Sequence, residues 1–174
     1  MPAEKRRIIR APHPHVEADL SVAPAFSKHL IAWQKTAGRH DLPWQKTSDP
    51  YRIWLSEIML QQTQVSRVRE KYPLFLKRFP SLKALAAARQ SDVVRMWQGM
   101  GYNNRAVRLH KLARIIVNDH RGRLPRTETE LKALPGIGTY TARALLASAF
   151  AVPVSIVDVN VRRLFSRVLW KMSV

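Results

Sequence analysis

A chain of 174 residues, 46% of them hydrophobic, is long enough for one core, or for one core and a small lobe. Thirty Lys and Arg against 12 Asp and Glu leave a formal charge of +18, which points to a polyanionic partner such as nucleic acid, though charge alone speaks for binding and not for chemistry. The absence of cysteine excludes disulfides, thiolate zinc sites, iron–sulfur ligation and cysteine nucleophiles, and the six His show no HExxH-like metal-ligand spacing.

Residues 1–24 carry Lys5, Arg6, Arg7 and Arg10 among four prolines and read as a basic, flexible arm able to touch phosphates. No apolar stretch behind these charges reads as a secretory signal, and no run approaches the roughly 18 residues of a membrane span. An intracellular, DNA-associated protein of cytoplasm or nucleoid is expected. The folded part, residues 25–174, reads as all-α. Phe26–Thr36 is predicted as a short amphipathic helix, followed by an irregular connection over 39–50.

The next helix carries the run Ser56-Glu57-Ile58-Met59-Leu60-Gln61-Gln62-Thr63-Gln64-Val65. Continued as a helix, Glu57, Gln61 and Gln64 fall at i, i+4 and i+7 on one face, surrounded by apolar residues. A carboxylate so placed has its charged form disfavoured and its pKa raised, which suits a general acid near neutral pH, and neighbouring amides can hydrogen-bond a heterocyclic base. A buried Glu satisfied by its neighbours would give the same letters.

Tyr72–Phe79 and Leu82–Ala88 are predicted as short helices, and Ser91 as the cap of a helix through Trp97 that Gly99 and Gly101 break. Arg105–His120 is a further helix, ended at Gly122. Thr127-x-x-Glu130 is a capping-box pattern opening a helix to Ala133. Leu134-Pro135-Gly136-Ile137-Gly138 then leads into a helix from Thr139 to Phe150. Gly136 and Gly138 are expected to allow a tight turn and a close partner, and the second helix's N-terminal amides form a natural phosphate site. An ordinary αα-turn has similar spacing. Asp158 precedes a basic amphipathic helix over Val159–Trp170 and is a favoured N-cap. Held by backbone donors it stays ionised while Glu57 tends to stay protonated, the split used by carboxylate pairs that cleave glycosidic bonds.

SEIMLQQTQV, GMGYNNRA, LPGIGTYTARALL and VDVNVRRL, in this order, resemble the helix-hairpin-helix DNA glycosylases of the endonuclease III superfamily, and most closely their adenine DNA glycosylase (MutY-like) branch. The resemblance runs from Leu42-Pro43-Trp44 to Arg167, with the hairpin at 127–150. It implies a monofunctional hydrolase of base excision repair that removes adenine mispaired with 8-oxoguanine or guanine. Its partner would be double-stranded DNA carrying the mispair, bound by a monomer. Glu57 matches the acid that protonates adenine N7, and Asp158 the carboxylate that stabilises the developing sugar cation; the pair is expected to face one cleft. Gln61 and Gln62 match residues lining the lesion site, and Tyr102 matches an aromatic wedge in the base stack. Gly136, Gly138, Tyr140, Asn160 and Arg162 match positions on the bound DNA. Tyr140 stands where bifunctional relatives carry a lysine, and a phenol forms no Schiff base. Thymine excision from T·G mismatches is the alternative within the same class, and a catalytically inactive DNA-binding module is the alternative outside it.

The sequence also departs from the branch. Asn103 stands where a second Tyr is common, and Val159 where Gly is common. The four cysteines that hold a [4Fe–4S] cluster in this branch are absent, so no cofactor is expected. Either a minimal cluster-free enzyme or a truncated product with an incomplete second lobe would fit, and the latter predicts exposed Phe165 and Trp170.

Overall fold

The computed structural model describes residues 20–169; the basic arm, apart from its last residues, and Trp170 lie outside them. Among the described residues there are nine α-helices and no strand, as the all-α reading expected. They are α1 (Ala23–Ala37), α2 (Pro50–Leu60), α3 (Val65–Arg78), α4 (Leu82–Ala87) and α5 (Gln90–Met96), then α6 (Asn104–Asp119), α7 (Glu128–Ala133), α8 (Thr139–Phe150) and α9 (Val159–Leu169). They fall into two compact units. Residues 39–156 form one, and described residues before 39 and after 156 form the other.

In the larger unit α2 is the central element, packed against α3, α6 and α8. Asp49 starts it, its carboxylate accepting from the Arg52 amide at 3.0 Å, with Pro50 in the first turn where no N–H is missed. Seven of its 11 residues are buried, Trp54 and Leu55 completely. In the same core Phe75, Phe79 and Trp97 interlock, with Phe75 4.9 Å from Phe79 and 5.9 Å from Trp97 between ring centroids. Full burial of a side chain such as Phe75 or Leu145 contributes about 1.5–3 kcal/mol. The Tyr51 hydroxyl ties the start of α2 to the end of α3 by donating to the Phe79 carbonyl at 2.7 Å.

Four sequence expectations change here. The Glu57 helix stops at Leu60, so Gln61 and Gln64 do not extend its face; Gln62 turns left-handed at φ 53°. Tyr72–Phe79 is no separate helix: α3 runs through Pro73, because the buried stripe Val68, Tyr72 and Phe75 outweighs one missing N–H. Arg89, not Ser91, occupies the cap position of α5, and Asp92 in the first turn draws both Arg89 and Arg95. Phe165, expected exposed if the second lobe were incomplete, is half-buried and meets Phe26 edge-on at 6.0 Å in the smaller unit. In that same unit Leu30, Ile31 and Trp33 of α1 are exposed.

Candidate active site and nucleic-acid interface

Glu57 lies on the last turns of α2, between buried Ser56 and Ile58, and is itself half-buried. Burial raises its pKa above the ordinary 4.5, and no hydrogen bond or ion pair among the described residues offsets that. The chain then leaves the helix, and Gln61 and Gln62 are exposed. Gln61 helps line a cavity of about 40 Å³ with Arg108, Pro135 and Gly136, room for water rather than a base. A larger groove of about 980 Å³, between the start of α2 and the end of α6, touches none of the candidate residues.

Tyr102 stands on the loop between α5 and α6, two-thirds exposed (66%) and left-handed at φ 46°. Two glycines on the approach to it, Gly99 (φ 84°) and Gly101 (φ 71°), let the loop bend so tightly. The loop is not loose. Arg67 donates to the Gly99 carbonyl at 2.6 Å, the Trp97 indole to the Gly101 carbonyl at 3.3 Å, and Arg105 to both Met100 and Gly101.

The helix pair at 127–150 forms as the capping and glycine signals predict. Thr127 accepts from the Glu130 amide at 3.3 Å and donates to the Glu130 carboxylate at 2.6 Å. Leu134 and Ile137 anchor the hairpin in the core, which leaves Pro135, Gly136 and Gly138 exposed. The amides of Gly136 and Gly138 take no partner among the described residues. Only Gly136, at φ 86°, needs a glycine backbone. Gly138 has an ordinary φ of −88°, and a Cβ there would meet nothing within 4 Å, so the second half of the expected tight turn is an open N-cap instead. Tyr140 follows in the first turn of α8, exposed at 46%.

Asp158 belongs to the smaller unit. Its carboxylate accepts from the Val161 amide at 2.7 Å and from the Asn160 side chain at 3.1 Å, capping α9. The backbone donor of Val161, first, and then Asn160 hold its pKa below the ordinary 3.8 despite some desolvation. Asn160 and Arg162 are exposed on the same helix. The two carboxylates therefore sit in opposite electrostatic states, one pushed toward its acid form and the other toward its anion.

Sequence reasoning missed Arg105. It lies on the buried stripe of α6, in line with Leu109, Leu112 and Ile116 at i+4, i+7 and i+11, and only 8% of it is exposed. A cation on an apolar stripe was the available signal.

Unpartnered amides at an exposed glycine hairpin suit a phosphate backbone, and a half-buried carboxylic acid suits proton donation. Residues 55–173 match the HhH-GPD superfamily of base excision DNA repair proteins, and the chain belongs to that superfamily. An adenine DNA glycosylase of Mycolicibacterium smegmatis is 42% identical over 149 residues, covering 85% of this chain and 50% of that protein. The human adenine DNA glycosylase is 39% identical over 163 residues, covering 88% of this chain and 30% of that one. The chain thus spans about a third to a half of the curated relatives it matches. Among solved structures, a thermostable thymine-DNA glycosylase superposes with a TM-score of 0.79 at 31% identity, over 85% of this chain and 69% of that one. A non-covalent endonuclease III–DNA complex superposes at 0.69 and 23% identity, over 83% and 67%, which speaks for the fold alone.

The thiolates that an iron–sulfur cluster of the adenine branch would need are absent from this sequence. Among the described residues no group of three or more His, Asp or Glu is placed to hold a metal, and no helix is long and apolar enough to cross a membrane.

Proposed function

We propose that residues 25–174 act as a monofunctional DNA glycosylase domain that removes adenine paired with 8-oxoguanine or guanine. The observation that carries this is the state of Glu57: half-buried, without a partner among the described residues, and biased toward its protonated form. In the proposed reaction Glu57 gives its proton to adenine N7, the bond between the base nitrogen and the sugar C1′ breaks, and the electron pair leaves with the base. Ionised Asp158 stabilises the positive charge that develops on the sugar. Water adds to C1′ and its proton passes to solvent, leaving an abasic sugar. Tyr140 offers no amine, so no covalent enzyme–DNA adduct forms and borohydride traps none.

Extruding a base costs a few kcal/mol of stacking, and exposed Gln62 and Tyr102 are the side chains proposed to fill the gap. The free amides of the hairpin, with Arg162, Arg163 and Arg167, are proposed to hold backbone phosphates. Such contacts carry no sequence information, so affinity should fall steeply with salt and vary little with flanking sequence.

Single-turnover excision on A·8-oxoguanine, A·G and T·G duplexes tests this reading. Base loss from the first two supports it. Loss from T·G alone would select the thymine reading, behind which stands the 31% identical thymine-DNA glycosylase structure. Binding with no base loss on any duplex would leave only a DNA-binding module.

Gly138→Asp separates folding from DNA binding. With an ordinary φ and open space, the aspartate becomes a favourable N-cap facing the helix N-terminus. The melting temperature should hold or rise, while affinity for every duplex falls about tenfold or more as an anion meets phosphate. A parallel loss of stability would show that the hairpin backbone, and not its outer face, was disturbed.

A further inference from the structure

One buried guanidinium connects the two segments that carry Gln62 and Tyr102. Arg105 Nη1 donates to the carbonyls of Ile58 and Met59, at 3.1 Å each, and to that of Gln61. Its Nη2 donates to the Thr63 hydroxyl at 2.8 Å and to the carbonyls of Met100 at 2.9 Å and Gly101 at 3.1 Å. The Thr63 hydroxyl in turn donates to the Met100 carbonyl at 3.3 Å. The guanidinium carbon lies 5.4 Å from the Trp97 ring centroid and 5.8 Å from that of Tyr102. Four of these six acceptors, three carbonyls and the Thr63 hydroxyl, belong to the end of α2 and the turn after it, where helical carbonyls lack partners of their own. Two belong to the loop that presents Tyr102.

Gln62 and Tyr102 are the residues that follow these anchored carbonyls, and both are left-handed, at φ 53° and 46°. L-residues with large side chains adopt that region reluctantly and keep it only where the surroundings over-determine it. Arg105 supplies the surroundings for both at once. It does so with a planar, branched donor that one ammonium group cannot replace.

We propose that Arg105 is a positioning residue that fixes the Gln62 turn and the Tyr102 loop as one element, so that the two side chains enter the base stack together. This rests on the reading of Gln62 and Tyr102 as residues that enter the stack. Two separately mobile segments would each have to be ordered when the base is extruded, whereas a pre-fixed pair is not penalised in that way.

The test uses a duplex with 2-aminopurine beside an A·8-oxoguanine pair, whose fluorescence rises on unstacking when protein binds. Arg105→Lys keeps the charge and loses the branched donor. It should cut the fluorescence rise at saturating protein to about half or less, while affinity for plain duplex, set by backbone contacts, stays within about twofold. Tyr102→Ala should lower the same signal, and the double variant should lose little more than Tyr102→Ala alone, since the two act in one unit. Thr63→Val, which removes one acceptor and leaves the buried cation, should give a smaller loss of the same sign; if Arg105→Lys does not fold, this variant decides. A normal signal in the folded Arg105→Lys protein, or an Arg105 loss that adds in full to that of Tyr102, would overturn the proposal. So would an equal loss of plain-duplex binding, which is what a merely structural arginine predicts. A normal signal in Tyr102→Ala would instead remove the stack-entering reading beneath it.

Discussion

Replacing Glu57 with Gln is expected to slow adenine loss by about 10²- to 10⁴-fold, the range a positioned general acid supplies, while duplex affinity stays near that of the parent. The amide keeps size and polarity and removes the transferable proton. Stability should change in a defined direction. Burial raises the Glu57 pKa, so the folded chain binds that proton more tightly than the unfolded chain does. This stabilising contribution is complete below the ordinary value of 4.5 and is lost as pH rises through the raised value. Glu57→Gln should therefore have a melting temperature that varies less across that window and exceeds the parent's above it. Thermal melts from acid to neutral pH, beside single-turnover rates, check both halves. Unchanged excision in the variant would end the catalytic reading of Glu57.

The second large effect is expected from Asp158→Asn, which should slow excision by about 10²-fold or more through loss of a charge opposing the sugar cation. Asn caps helices about as well as Asp, so its side-chain oxygen can still accept from the Val161 amide and α9 should persist by circular dichroism. The substitution thus distinguishes an electrostatic role from a capping role, and a normal rate with an intact helix would leave Asp158 a cap only. In the parent, catalysis needs Asp158 ionised and Glu57 protonated. The pH–rate profile should rise through the lowered Asp158 pKa, below 3.8, and fall through the raised Glu57 pKa, above 4.5.

The helix pair at 127–150 was readable because its signals are local: a capping box, a proline and two glycines within a dozen residues. Asp158 was readable as a cap for the same reason. The apolar setting of Glu57 was readable because its neighbours in sequence are also its neighbours in space. What failed depended on distant residues. Nothing within Gln61–Gln64 says that α2 ends at Leu60, because the group that satisfies the freed carbonyls of Ile58 and Met59 is Arg105, more than 40 positions downstream. The helix predicted to start at Tyr72 instead begins at Val65, because Tyr72 and Phe75 are buried in a core that carries α3 through Pro73. Gly138 was over-read, since adjacency to Gly136 suggested a shared backbone need that only Gly136 has.

The left-handed backbone at Gln62 and Tyr102 also bears on how such a sequence can change. Glycine at either position would relieve about 1 kcal/mol of backbone strain, and neither residue is buried enough to be missed by the core. A search for heat-resistant variants guided by stability alone would be drawn to both substitutions, and would erase the two side chains proposed to hold an extruded base outside the stack. Robustness and repair would then be selected in opposite directions at the same two residues.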